Sequence, residues 1–499
     1  VLKNSRVIVK GLSFSYIYIF VYLFTGVLTT PLLLHHFDAD YFALLMIIYT
    51  LITYLNNLRF GLPENLAVML AKSSNKTYKF TLIQKTFLLL CFIILLALII
   101  FYILDFIIGD WRILLGDVYA LNLHTVLSVF YILIIFALIK IPFEVSLAVF
   151  IGFNEVYYEK IYKIVTLLAN FLLVLYIVYF DKSILFFVVG AGFLDLFVVC
   201  IAFFHAFSRY EVKSVKGGQV KSSALLKDAF LFFQLSLTQT FIWGMGIFVV
   251  THLLSLGDVT IYSLTMKIYV YILYAFVIVN SVIAPVYGKY FADDNWQEIK
   301  KVFFALLFLL PIIGGVIWMG TLFFFKDIMT LWTGSKNFYI GPWFVLFMGA
   351  FFYLTGFVNT YVTLLYSIGK IKSIVFLKWK EVFISFFLIM ALTYLAGLVG
   401  VALGLMIATF YISIRLLPNI IMSVTENKII FDFSMHIKHF IYVLVPNVFF
   451  AFIVNFSTDN IFIKTLLFSL TFCVYIFFSW KFIPSNQQKY ILSKIKKGL

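Results

Sequence analysis

One feature constrains this chain above all others: runs of about twenty or more apolar residues recur from one end to the other, separated by short polar connections. A helix rises about 1.5 Å per residue, so roughly twenty apolar residues cross the ~30 Å hydrocarbon core of a bilayer. Fourteen such segments are legible, at roughly 13–34, 41–71, 80–104, 119–150, 159–180, 183–207, 226–254, 259–288, 299–325, 341–367, 373–396, 399–424, 436–456 and 460–482. With 64% hydrophobic and 12% charged residues among 499, and a mean hydropathy of +1.08, a soluble globular domain is excluded. The expected fold is all-α, a polytopic integral membrane protein with about 14 transmembrane helices.

The charges sort by side. If the N-terminus faces the cytoplasm, the cytoplasmic connections and both tails hold 30 of the 37 Lys and Arg residues. The opposite side holds five: Arg112, Lys182, Lys326, Lys336 and Lys464. This positive-inside bias predicts both termini in the cytoplasm and an even number of spans. It also accounts for the net charge of +15 without nucleic acid. Lys489, Lys494, Lys496 and Lys497 in the tail read as contacts to lipid headgroups. Lys3, Arg6 and Lys10 precede a first apolar run, Leu12 to Leu34, that is too long for a signal-peptide core and reads as a retained helix. Cys91, Cys200 and Cys473 lie in apolar segments, and His124, His205 and His252 lack metal-ligand spacing. No cofactor or metal is expected.

A repeat is visible. Tyr41–Leu45 opens segment 2, with Pro63 22 residues after Tyr41, and Tyr262–Met266 opens segment 8, with Pro285 23 residues after Tyr262. Ile151–Asn154 after segment 4 matches Ile368–Ile371 after segment 10, and Gly190 and Gly192 match Gly400 and Gly404. The shared offset of about 210–222 residues predicts two six-helix lobes in parallel repeat plus two C-terminal helices. The expected boundaries are 1–207 for the N-terminal lobe, 208–225 for a cytoplasmic linker containing Gly217-Gly218, 226–424 for the C-terminal lobe, and 425–499 for the extra pair and basic tail.

Segment 2 carries an unusual polar stretch, Asn56-Asn57-Leu58-Arg59-Phe60-Gly61-Leu62-Pro63-Glu64-Asn65. Glycine and proline loosen a helix, and polar groups here must face protein or a watery cavity. Arg59, Gly61 and Pro63, with Pro285 as the counterpart, are the candidate gate or hinge residues. Interfacial anchoring is the competing reading of Arg59.

These phrases resemble the lipid-linked oligosaccharide flippases, the O-antigen and capsule repeat-unit translocases of the multidrug/oligosaccharidyl-lipid/polysaccharide exporter superfamily. The resemblance covers most of the chain. It rests on the basic N-terminus running into segment 1, on Asn57-Leu58-Arg59-Phe60-Gly61-Leu62, and on Gly152. It rests also on Leu331-Trp332-Thr333-Gly334, Gly369-Lys370-Ile371-Lys372 and Gly397-Leu398-Val399-Gly400-Val401-Ala402-Leu403-Gly404. It implies two lobes around a central cavity, alternating access, and a place in a bacterial cytoplasmic (inner) membrane, in lipopolysaccharide or other polysaccharide biosynthesis. The implied partners are a lipid-linked oligosaccharide substrate, membrane lipids and other polysaccharide-assembly proteins.

Moving an anionic pyrophosphate and a sugar chain needs a hydrated, partly cationic cavity. Ionisable residues deep in the spans are the first candidates, since each costs about 2.5–3.5 kcal/mol to insert. Lys140 and Lys267 are candidates for the anionic head, with a structural ion pair and snorkelling as their respective alternatives. Lys140 and Glu144, four apart around Pro142, share a helical face. Asp195, deep in segment 6, and Glu144 are candidates for a titrating, ion-coupled site, while an interhelical hydrogen bond is the plainer reading of Asp195. Gln239 and Asn359, with Gln234 and Thr238, are candidates for sugar hydroxyls, and Trp243, Tyr353 and Tyr361 for stacking; ordinary packing is the alternative. Arg415 reads as an anchor like Arg59.

Two rival functions are weighed. A cation-coupled multidrug exporter of the same superfamily usually has twelve helices, so segments 13 and 14 favour the glycan branch. A polyprenyl-linked membrane glycosyltransferase would use an acidic motif such as Asp38-Ala39-Asp40, but that connection is too short to cover a donor. The expected protein is a transporter and not an enzyme.

Overall fold

The computed structural model describes residues 2–73, 75–111, 115, 121–212, 222–429 and 438–496. Arg112, Gly217, Gly218 and Lys497 of the sequence reading lie outside them. The described chain is all-helical, with no strand among the described residues, as a membrane-spanning chain that must satisfy its backbone internally requires. It forms two compact units, residues 1–263 and 264–499.

The first unit contains α1 (Leu2–Leu55), α2 (Leu62–Lys72), α3 (Lys76–Ile108), α4 (Leu123–Lys140), α5 (Val145–Gly152), α6 (Val156–Tyr179), α7 (Ile184–Arg209) and α8 (Ser222–Leu253). At 54 residues, α1 is about 80 Å of helix, far more than one span needs. It is kinked at Asp38 (φ 63, ψ 168), so segments 1 and 2 become its two arms. The Asp38-Ala39-Asp40 connection is thus a tight kink, and Thr260 donates a 2.7 Å hydrogen bond to the Ala39 carbonyl. Helix α1 packs along α6, α4 on α7, α2 on α5, and α8 against both α1 and α2. The second arm of α1 is the centre of the unit, with Phe42, Leu44, Leu45, Ile47 and Ile48 fully buried. Helix α3 has the opposite character, presenting Leu88, Phe92, Leu95, Ile99 and Phe106 on its exposed face, a surface suited to lipid.

Helix α9 (Leu256–Ala292) starts in the first unit and continues into the second. The second unit adds α10 (Trp296–Thr333), α11 (Pro342–Ser367), α12 (Ile371–Tyr411), α13 (Leu417–Val424), α14 (Val445–Ser457), α15 (Ile461–Phe482) and α16 (Ser485–Lys496). Helix α10 is the hub, packing against α11, α14, α15 and α16. Ile483 and Ile491 seat α16 on Ala305 and Phe308 of α10. Two ion pairs tie α15 and its preceding turn to α10, Lys464 to Asp327 at 2.9 Å and Lys326 to Asp459 at 2.8 Å. Lys464, counted from sequence among the solvated connections, is 1% exposed, because Asp327 compensates it.

Among the described residues, each of the fourteen apolar segments is predominantly helical. Among the described residues, ten helical stretches are long and apolar enough to cross a membrane, and α1 and α12 each hold two segments; segment 8 lies in α9, outside those ten, and segment 13 is the shorter apolar helix Phe440–Asn455. In α12 the break falls at Ala396 and Gly397, the latter in the left-handed region (φ 57). A Cβ on Gly400 would lie 1.9 Å from the Leu392 carbonyl oxygen, and one on Gly404 2.8 Å from the Ile389 amide nitrogen. These pairs separate in sequence as they leave the kink, so the two arms run antiparallel with their backbones nearly touching. The glycine spacing of segment 12 therefore serves helix packing. Gly400→Ala is expected to lower the unfolding midpoint in detergent and to cost at least about 2 kcal/mol. Gly320→Ala, where the new methyl would meet Phe468 at an ordinary 3.7 Å, is expected to be neutral or mildly stabilising in the same assay.

Candidate functional site

Segment 2 does not run through its polar stretch as a continuous helix. After α1 the chain makes a 3-10 turn, Asn56–Arg59, then two left-handed residues, Phe60 (φ 51) and Gly61 (φ 66), before α2 begins. The break lies at Phe60–Gly61, not at Pro63. Pro63 occupies the first turn of α2, where its missing N–H costs nothing and its fixed φ suits a helix start. Pro285 lies inside α9, so the two prolines occupy different local structures. A Cβ on Gly61 would lie 2.3 Å from the Ala229 carbonyl oxygen and 2.6 Å from the Phe233 amide nitrogen of α8. Only glycine supplies both this φ and this close approach. Around it, Phe60 stacks on Phe233, Asn57 donates to Thr240 at 3.1 Å, and Asn65 donates to the Leu225 carbonyl at 3.1 Å.

Segment 4 is broken as well. Between α4 and α5 lies a 3-10 turn, Ile141–Glu144, with Pro142 at its start. The two broken helices meet: Arg59 donates to Glu144 at 3.1 Å. The connection runs on in both directions. Arg59 reaches Glu64 at 3.7 Å, and Lys140 reaches Glu144 at 3.8 Å and Asp195 of α7 at 3.5 Å. Asp195 in turn accepts 2.9 Å from Asn170 of α6. Two cations and three carboxylates from α2, α4, α7 and the two 3-10 turns thus form one partly buried chain. A small recess beside it is lined by Asn56, Asn57, Arg59, Gly61, Glu64, Phe233 and Ser236.

Four residues proposed separately from sequence, Arg59, Lys140, Glu144 and Asp195, are therefore brought together. The Lys140–Glu144 pairing expected from spacing is the longer of the two contacts Glu144 makes. Gln239 accepts a 3.0 Å hydrogen bond from the Trp243 indole one turn along α8. Lys267, on α9, and Asn359, on α11, are half-buried and belong to the second unit.

Several polar groups escaped the sequence reading. Lys378 and Glu381 of α12 are 5% and 2% exposed and pair at 2.7 Å, with Thr409 of the other arm 3.4 Å from Glu381. The charge bias counts Lys378 on the cytoplasmic side, whereas its i,i+3 spacing from Glu381 is the local signal of this pair. Glu155, in the turn between α5 and α6, accepts two hydrogen bonds from Arg209, at 2.8 and 2.9 Å, and one from Tyr210. The Arg209 hydrogen bonds hold the Glu155 carboxyl below the usual carboxylate range, against the opposing effect of partial burial.

No protein-family model matches the chain, and no curated protein matches it. Solved structures do. The chain is similar to the Lipid II flippase MurJ in an inward closed conformation, with TM-score 0.68 and 13% identity over 94% of this chain and 98% of that one. It is similar to an inward-facing multidrug resistance MATE family transporter of the MOP superfamily, with TM-score 0.63 and 14% identity over 81% and 94% of the two chains. A MOP superfamily transporter from Pyrococcus furiosus aligns with TM-score 0.63 and 13% identity over 85% and 97%. The chain shares the fold of these solved structures. Within it, the Arg59–Glu144 contact joins the two broken helices of the first unit.

A double-mutant cycle on Arg59→Ala and Glu144→Ala, read by thermal unfolding in detergent, is expected to give a coupling of about 1–3 kcal/mol. The cycle on Lys140→Ala and Glu144→Ala is expected to give less, since that contact is longer. Glu155 has a depressed pKa when folded, so its stabilising contribution is complete above the ordinary glutamate pKa of about 4.3 and lost as pH falls through the folded value. Glu155→Gln should therefore remove part of the acid-side fall in unfolding midpoint while lowering the midpoint at neutral pH.

Proposed function

We propose that this chain is a transporter that flips undecaprenyl-pyrophosphate-linked oligosaccharide repeat units, of O-antigen or another surface polysaccharide, from the cytoplasmic to the outer leaflet by alternating access. The observation that carries this reading is the extent of the likeness to the lipid II flippase. It covers 94% of this chain, against 81% and 85% for the two other transporters. The C-terminal pair α14–α15 is integral to the second unit, bound to α10 by ion pairs. The chain would sit in a bacterial cytoplasmic membrane with both termini inside, as the lysine and arginine bias favours. Its partners would be the lipid-linked glycan, bilayer lipids and other polysaccharide-assembly proteins.

In this reading Lys140 and Lys267 attract the pyrophosphate, and Gln239 and Asn359 meet sugar hydroxyls. Lys140 is held by Glu144 and Asp195 in this arrangement, so it binds phosphate only when those contacts loosen. Asp195 or Glu144 takes up the coupling proton or cation. The break at Arg59, Gly61 and Pro63 serves as a hinge, with Pro285 flexing α9. The alternative is a cation-coupled multidrug exporter, favoured by the carboxylate-bearing chain at Glu144 and Asp195.

Deletion of the gene separates the two. The flippase reading expects accumulation of cytoplasm-facing lipid-linked repeat unit and loss of surface glycan, with Lys140→Ala and Lys267→Ala lowering export. Loss of drug resistance with surface glycan intact would favour the exporter. Normal glycan export by both lysine variants would remove their assigned role.

A further inference from the structure

The first arm of α1 and helix α6 lie side by side and run in the same direction. Lys10 sits 5.9 Å from the Tyr157 ring centroid at one end, Phe24 meets Phe171 midway, and His36 meets the turn after α6 at the other end. There the His36 Nε2 atom is 2.8 Å from the Lys182 carbonyl oxygen, and Nδ1 is 3.9 Å from Asp181 Oδ1. The turn is fixed by its own backbone. Phe180 donates to the Tyr176 carbonyl and Lys182 to the Ile177 carbonyl, both at 3.0 Å, and Asp181 takes the left-handed conformation (φ 49). The His36 side chain is 12% exposed and that of Asp181 98%, so the ring is held while the carboxylate is free to swing.

A carbonyl oxygen can only accept, so Nε2 carries a proton whether the ring is neutral or charged. Nδ1 is therefore the atom that gains or loses a proton. In the neutral ring it turns a lone pair toward a carboxylate, which is unfavourable; in the charged ring it turns an N–H donor toward it. Histidine makes this change between about pH 5 and 8. Other titratable groups on the surrounding elements are His35, Asp38 and Asp40 on α1, Lys182 in the turn, His124 of α4, His252 of α8 and Asp258 of α9. Asp258 is engaged with Ser255, and His252 bonds the Phe248 carbonyl. Among the described residues, Asp181 is the one charged group within ion-pair distance of the His36 ring.

We infer that His36 and the α6–α7 turn form a pH-sensitive clasp. Protonation at Nδ1 adds an attraction to Asp181 on top of the standing bond to the Lys182 carbonyl, and fastens the end of the first arm of α1 to the turn. The added hold is complete in acid and is lost as pH rises through the imidazole's titration. The clasp stands just before the kink at Asp38, at the end of α1 remote from its basic N-terminus, and does not depend on which substrate the chain carries.

The test uses the purified full-length chain in lipid nanodiscs. Amide hydrogen exchange of the Ile177–Phe187 segment, corrected for the intrinsic pH dependence of exchange, reads the opening of the turn. Because Asp181 is exposed, opening is expected to be about two- to fivefold rarer at pH 5.5 than at pH 8. His36→Gln keeps a donor for the Lys182 carbonyl but has no titrating atom, and should abolish this pH dependence. Asp181→Asn, which keeps a residue that tolerates the left-handed turn, should abolish it too. His124→Gln should leave it as in the parent. Nitrogen-15 spectra of labelled histidine, assigned by the signal missing from His36→Gln, should show the Nε2–H form at pH 8. An Nδ1–H form at that pH, or the parent's pH dependence surviving in His36→Gln or Asp181→Asn, would overturn the clasp.

Discussion

A charge inside a membrane span persists only if the protein supplies its partner, because lipid will not. In the first unit that requirement is met by a chain of ion pairs, in which the Arg59 to Glu144 contact joins two broken helices at their 3-10 turns. Much of the local structure follows from holding these two turns together. Helix α2 packs on α5, with Gly152 leaving room for Leu70, and Gly61 brings the chain onto the backbone of α8. Lys140 then has Asp195 within reach, and Asn170 satisfies the remaining side of that carboxylate. Broken helices in a membrane are stable only where side chains and neighbouring backbone take over the lost hydrogen bonds, and here they do.

The second unit meets the same requirement differently. Its most deeply buried cations, Lys378 and Lys464, each have a single carboxylate partner, Glu381 and Asp327. The first pair lies within one helix and reaches the returning arm through Thr409; the second joins α15 to the hub α10. These contacts brace helices against one another. The first unit instead links several ionisable groups in a chain whose members have alternative partners. That difference makes the first unit the better place to look for a rearrangement.

The number and order of the helices were legible because apolar runs of span length need no tertiary information to recognise. The kinks at Asp38 and Gly397 were legible as short connections, though not as tight breaks within long helices. The break in segment 2 falls within the Asn56–Asn65 stretch and at one of its candidates, Gly61, while the part played by the left-handed Phe60–Gly61 pair, and Pro63's place at the start of α2, were not legible. The candidate charges were found one by one from their depth. Their assembly was not, because Arg59 and Glu144 are 85 residues apart and nothing local in either segment encodes the other. Likewise Lys378 and Lys464 looked like solvated charges near helix ends until their buried partners were seen. The glycines of segment 12 were noticed as a repeat, while their reason, the contact of two helix backbones, needed coordinates.

We propose that a chain of this fold translocates the head of a polyprenyl-linked glycan across the bilayer. The most direct measurement places purified protein in liposomes carrying a lectin-accessible undecaprenyl-pyrophosphate oligosaccharide, loaded on one leaflet, and follows the lectin-accessible fraction on the other with time. The account predicts protein-dependent transfer of the glycan head, slowed when the Arg59–Glu144 contact is replaced by a covalent cross-link. Transfer no faster than in protein-free liposomes, with an intact folded protein present, would contradict it.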